Sequence, residues 1–102
     1  METTQNNRLI AEFMGYELEE TLTDNIFVYA IPTINNNLDF FEPNELLYHS
    51  DWNWLMKVIE EILTVSLELD AMELYLGIID CIPDFEVTYR AIIEFINWFN
   101  ED

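Results

Sequence analysis

Apolar residues recur at helical spacing in three stretches of the chain and alternate in others. In residues 7–14, Leu9, Ile10, Phe13 and Met14 share one stripe, and Gly15 stands where such a helix would stop; this predicts a short N-terminal helix. Residues 51–63 place Trp52, Leu55, Met56, Ile59, Ile62 and Leu63 on one face, with Asn53, Lys57, Glu60 and Glu61 opposite. That is the pattern of an amphipathic helix, with Ser50 as its expected N-cap and Asp51 as an acid in its first turn. In residues 87–99, Arg90, Glu94 and Asn97 form a narrow polar stripe that continues to Glu101, and almost everything else is apolar, Phe95, Trp98 and Phe99 included. So apolar a helix is expected to be buried round most of its circumference or to offer a dimer face. Trp52, Leu55, Ile59, Ile92, Ile96 and Phe99 are the expected core of the two long helices.

The strand signals are shorter. Residues 25–31, NIFVYAI, are β-branched and aromatic and run into Pro32, which reads as a strand. Asn35-Asn36-Asn37 makes a turn, and Leu38–Phe41 can complete a hairpin before the loop around Pro43. In residues 72–79, Met72, Leu74, Leu76 and Ile78 alternate with Glu73, Tyr75 and Gly77, so this segment also reads as a strand, closing near Pro83. Residues 64–71 fit either a strand or a continuation of the preceding helix. The expected fold is α+β: a single domain over residues 1–102. A small antiparallel sheet is built from the 25–31 and 72–79 strands, the two main helices pack on it, and a short helix precedes it.

Charge changes this picture more than any motif. Twenty-one carboxylates stand against three basic side chains, a formal net charge of −18 on 102 residues. With 51% hydrophobic and 15% aromatic residues, this is not the composition of a disordered acidic tail. A compact chain of this length has a diameter of roughly 33 Å, and duplex DNA of that length carries about 19 phosphates. The domain thus matches in charge the nucleic acid it could displace, and it will attract basic surfaces at long range. Arg8 has Glu12, Lys57 has Glu60 and Glu61, and Arg90 has Glu86 and Glu94 at helical neighbour spacing, so little unpaired positive charge is expected.

The same inventory excludes several functions. One cysteine, Cys81, allows no internal disulfide framework, and its apolar surroundings suggest a buried, inert thiol. The polar, acidic start METTQNN is wrong for a signal peptide, the apolar runs are too short for a bilayer, and anionic lipid would repel the chain. A cytoplasmic location follows. His49, Ser50 and Asp51 are consecutive, which seldom lets three side chains converge as a catalytic triad. Glu60 and Glu61 are adjacent and diverge on a helix, so they do not form an acid pair. No calcium-loop or zinc-ligand pattern occurs, and Gly15 and Gly77 alone cannot build a phosphate loop. No cofactor, no metal and no enzymatic activity are expected, and direct nucleic-acid binding is disfavoured electrostatically.

Three segments, RLIAEFMG at 8–15, YHSDWNWLMKVIEE at 48–61 and TYRAIIEFINWFN at 88–100, resemble a group of small phage and prophage proteins. These carry an early LIAEFMG box, a YH-x-x-W-x-WLM helix start and a closing TY-x-A-x-x-EFI-x-W-x-N helix. The resemblance covers about a third of the chain. It implies phage origin and an α+β fold, and it names no activity. Lys57 stands where the group would have proline after WLM, and lysines are few, as in a divergent, more acidic member. By class analogy, small acidic phage proteins without catalytic motifs resemble anti-CRISPR proteins and other nucleic-acid mimics.

These observations together lead to the expectation of a non-enzymatic inhibitor of a host defence nuclease, of the CRISPR-effector kind, acting in the bacterial cytoplasm. Its carboxylates would stand in for phosphates on a basic channel. The partner-binding residues expected are Asp39, Phe40, Phe41, Glu42, Glu45 and Asp51, with a second group at Asp80, Asp84 and Glu86; aromatics among acids suit an interface with an apolar centre and a charged rim. The alternative is a phage accessory or structural protein without a nuclease target, homodimeric through the 87–99 helix. Self-repulsion also has a consequence for stability. The melting temperature should rise as ionic strength goes from about 0.01 M to about 0.15 M, where the screening length falls from ~30 to ~8 Å. A melting temperature that does not move would mean the charges are already neutralised, as by bound metal.

Overall fold

The structure, a computed structural model, describes residues 2–20, 26–32 and 37–101. It is α+β, as expected, and comprises two compact units, residues 1–46 and 47–102.

The first unit opens with α1 (Glu2–Phe13). Ile10 and Ala11 are fully buried on its inner face. The helix starts earlier than the 7–14 stripe indicates because its first turns are polar and carry no apolar signal. They are anchored at Asn7, which is buried and donates from Nδ2 to the Leu46 carbonyl at 3.2 Å. Gly15 ends the helix as expected. It takes φ +90°, its N–H bonds to the Glu12 carbonyl, and the Tyr16 N–H reaches the Ala11 carbonyl, each at 3.0 Å. This pair of bonds around a left-handed residue satisfies the last carbonyls, and a glycine bears that conformation without strain.

Among the described residues the sheet has three antiparallel strands in the order β1 (Leu18–Glu20), β2 (Phe27–Pro32), β3 (Leu38–Phe41). Leu18 pairs with Tyr29 and Glu20 with Phe27; Tyr29 pairs with Phe41 and Pro32 with Leu38. The hairpin partner of β2 is therefore the one expected, while residue 25 and most of the asparagine turn lie outside the described residues. Tyr29 and Ile31 are buried on one face of β2 and alternate with half-buried Val28 and Ala30, the period-2 pattern of a strand with one face inward. β1 was not foreseen, since Leu-Glu-Glu is short and glutamate is depleted in strands; charges suit it as an edge. Beyond β3, Pro43–Glu45 form a 3-10 turn that leads to the buried Leu46.

The second unit is helical: α2 (Trp52–Glu68), α3 (Met72–Ile79) and α4 (Phe85–Asn100). The expected strand at 72–79 is α3, and the sheet strands that pair with β2 are β1 and β3 instead. Alternation is compatible with a helix when only one position is demanding, and here Ile78 is the buried residue while Leu74 and Leu76 stay exposed. The open segment 64–71 is settled as helix up to Glu68. No glycine or proline announces the stop, because Asp70 itself takes the left-handed conformation at φ 55°, and the Ala71 N–H bonds back to the Ser66 carbonyl at 2.8 Å. Aspartate is among the residues that tolerate this region.

Asp51, not Ser50, caps α2: its Oδ1 accepts from the Asn53 N–H at 2.8 Å. Asp84 caps α4, accepting from the Val87 N–H at 3.1 Å, while Thr88 Oγ1 donates to the Asp84 carbonyl at 2.7 Å. Leu55, Val58, Ile59, Ile62 and Val65 form the buried stripe of α2, and Ile92, Ile93, Phe95 and Ile96 that of α4. Trp52 is half-buried and meets Phe85 edge-to-face, with ring centroids 4.7 Å apart. Phe99, expected in the core, is 38% exposed: α4 has more apolar residues than its buried face can hold. Cys81, expected in a buried strand, is half-buried in the turn after α3, and its thiol donates to the Gly77 carbonyl at 3.4 Å.

Two truncations to alanine should have opposite signs. Ile59→Ala or Ile96→Ala removes a side chain no more than 2% exposed and should cost roughly 2–5 kcal/mol. Ser66 Oγ is buried with no hydrogen-bond partner, an arrangement that costs about 1–3 kcal/mol, so Ser66→Ala should leave stability equal or higher. Urea denaturation of the three variants checks both signs; a destabilised Ser66→Ala would mean the hydroxyl is bonded.

Candidate functional site

Every carboxylate whose side chain is described is exposed except Asp51, which is half-buried. The physical cause is the shortage of counter-charges: a buried carboxylate needs a cation or several donors, and this chain has three basic residues. Of the pairings expected from spacing, Arg90 Nη2 meets Glu86 Oε1 at 3.1 Å. Arg8 and Lys57 do not close on their neighbouring acids to ion-pair distance. Exposed pairs are worth little against side-chain entropy, so the spacing alone does not enforce contact.

The expected partner-binding residues divide between the two units. Asp39, Phe40, Phe41, Glu42 and Glu45 belong to the first. Asp39–Phe41 lie in β3 and Glu45 in the 3-10 turn, so this segment is regular structure, not a loop. Register puts Phe40 opposite Ala30 and Leu38 opposite Pro32, on the sheet face away from Tyr29 and Ile31. Phe40 is 64% exposed there, whereas Phe41, on the Tyr29 side, is half-buried. Asp39, Glu42 and Glu45 are all exposed. Glu45 also has a local role: its Oε1 accepts from the Glu42 N–H, and its own N–H bonds the Glu42 carbonyl, both at 2.8 Å.

Asp51, Asp80, Asp84 and Glu86 belong to the second unit. Asp51 and Asp84 cap helices, where the positive end of the helix dipole favours an acid. Glu86, in the first turn of α4, gains from the same dipole and pairs with Arg90. Asp80 is different. It sits at the C-terminal end of α3, where the dipole disfavours an acid, and among the described groups no side chain bonds it.

The alternatives to binding chemistry can be placed too. Asp51 Oδ1 accepts from the Asn53 backbone N–H, the engagement expected of a helix N-cap. Among the described residues, no group of three or more His, Cys, Asp or Glu side chains could hold a metal ion, and no helix is long and apolar enough to cross a membrane. No protein-family model, curated protein or solved structure matches the chain.

One ionisable group departs from its ordinary range. Burial in α4 pushes the Tyr89 phenol up from 10.0 to about 12, because the phenolate loses solvation. The folded state therefore keeps this proton at a pH where the unfolded state has released it. Stability is unaffected below pH 10 and falls as pH rises from 10 to about 12. Tyr89→Phe should remove a step near pH 12 from a spectrophotometric tyrosine titration and flatten the loss of melting temperature in that window. An unchanged titration curve would place the phenol in solvent.

Proposed function

We propose that the chain is a non-enzymatic inhibitor of a host defence nuclease of the CRISPR-effector kind, acting in the bacterial cytoplasm as an acidic mimic of nucleic acid. The observation that carries this reading is the orientation of the charge. In a chain of net charge −18, every described carboxylate except half-buried Asp51 is exposed, on units held together internally by apolar contacts. Carboxylates so placed can pair with the arginines and lysines of a guide- or target-binding channel, and their summed field accelerates encounter with it. The resemblance implies phage origin, and the class of target follows from it by analogy with other small acidic phage proteins.

A second reading has its own support. Val87, Trp98 and Phe99 are 44%, 45% and 38% exposed on α4, which favours a homodimeric phage accessory protein joined through residues 87–99.

The test is cleavage of labelled target DNA by a purified, guide-loaded CRISPR effector. The parent chain should inhibit at low salt and lose inhibition steeply as salt rises. The variant should be Asp39→Asn, Glu42→Gln and Glu45→Gln combined. Amide side chains keep an acceptor for the Glu42 N–H at position 45 while removing three charges, so the 3-10 turn survives. The triple variant should inhibit more weakly, and each single change should do little, since mimicry distributes its energy over many pairs. Full inhibition by the folded triple variant removes this surface from the proposal. A parent chain that neither binds nor inhibits basic nucleases, and sediments as a dimer, favours the second reading.

A further inference from the structure

The helical unit carries an open groove of about 410 Å³ between α3 and α4. Leu74, Gly77 and Ile78 line it from α3, and Ala91, Phe95 and Trp98 from α4. The spacings are i, i+3, i+4 and i, i+4, i+7, so each set occupies one face of its helix. Two such faces bordering one groove offer the ridges and hollows into which a third helix packs.

Gly77 has no evident role within the fold. It lies inside α3, and a Cβ built there meets nothing within 4 Å. Glycine inside a helix is less stable than alanine, and neither a turn nor a close internal contact requires it here. Its missing side chain leaves space open along the α3 side of the groove, whose buried lining is Ile78 and Phe95. Leu74 and Trp98, which also line the groove, are exposed.

Charge identifies the occupant. Glu94 lines the groove, and among the described residues neither a hydrogen bond nor an ion pair engages its side chain; the nearest cation in sequence on α4, Arg90, is turned to Glu86. Glu73, Asp80 and Glu101, on or beside the same two helices, are exposed as well. A second copy would bring −18 against −18 and acid against Glu94. We propose that this groove docks a basic amphipathic helix of a partner protein, its apolar stripe seated along Leu74, Gly77 and Ile78 of α3 and Ala91, Phe95 and Trp98 of α4, with a flanking lysine or arginine on Glu94. The inference does not rest on nucleic-acid mimicry: Asp39, Glu42 and Glu45 lie in the other unit, and apolar seating persists where salt screens charge.

The probe is a synthetic amphipathic peptide of leucine and lysine, about 18 residues or five helical turns long, titrated into the full chain and followed by tryptophan emission. A peptide of the same composition in scrambled order is the control. A one-to-one complex is expected, with a blue shift absent in Trp98→Phe, and it should survive ~1 M salt, where the screening length is about 3 Å. Gly77→Leu should keep or raise the melting temperature and weaken binding about tenfold or more, as filling a central pocket does. Glu94→Lys, an exposed change, should also weaken it, and the Asp39→Asn, Glu42→Gln, Glu45→Gln variant should not. Equal binding of the scrambled peptide, loss of binding at ~1 M salt, or unchanged affinity in both groove variants overturns the proposal. So does a dimer in sedimentation that Gly77→Leu dissociates, which would assign the groove to a second copy.

Discussion

Self-repulsion among carboxylates is the constraint to which the rest of this structure answers. With three cations for twenty-one acids, few acids could be buried against a counter-charge, and none of those described is. Cohesion therefore comes from apolar burial and backbone hydrogen bonding. The helices show the consequence at their ends. Aspartates serve at the N-termini, where Asp51 and Asp84 accept backbone N–H groups and the dipole welcomes them. None of the four helices has a basic residue in its last turn. Two of them end through backbone geometry instead, at Gly15 and Asp70, both with positive φ. A chain richer in lysine could have used side chains for that purpose.

The constraint also explains why so much apolar surface remains in view. In most small domains an exposed leucine or tryptophan risks self-association. Here the net charge adds a repulsive term to the approach of identical copies, against which any self-association through exposed Phe40 or Trp98 would have to work. The same field that keeps like molecules apart draws basic ones in. In the proposed reading, acidity and exposed aromatic surface act together: the charge would select the sign of a partner, and the apolar residues would supply contact that salt does not screen.

Much of this was legible in the sequence where a single signal dominated. Residues 51–63 and 87–99 carry strong helical stripes, and both are helices; Gly15 stops α1 because left-handed backbone favours glycine. The hairpin of β2 and β3 followed from its β-branched and aromatic residues around an asparagine turn. The failures have specific causes. Residues 72–79 alternate in hydropathy because Leu74 and Leu76 face solvent, a pattern that in a neutral protein would signal a strand. Asp70 hides a helix end that a glycine would have declared. β1 is too short and too acidic to register, and α1 begins in polar residues held by the side-chain bond of Asn7. The acidic candidates were visible as composition, but their division into caps, paired groups and unengaged groups was not, because capping depends on which residue takes the non-helical conformation. The α3–α4 groove was concealed by the misreading of α3: only once residues 74, 77 and 78 lie on a helix do they share a face.

That groove alters how the acidic surface is best understood. Long-range attraction alone is indiscriminate, since any basic surface satisfies it and salt weakens every such pairing alike. Selectivity requires contact that depends on shape. A groove lined by two helix faces with Glu94 among them would tie a cation to an apolar ridge in a partner of the proposed kind. The same logic makes Asp80 informative. An acid at a helix C-terminus works against the dipole and is bonded by no described side chain, so its contribution to folding is unfavourable. Caps such as Asp51 and Asp84 are explained by the fold that they start. Asp80 and Gly77 are not, and they lie at the end and in the middle of the same short helix. Residues that weaken the element containing them, without serving a neighbour, mark the surface where this protein's contact with something else is best sought.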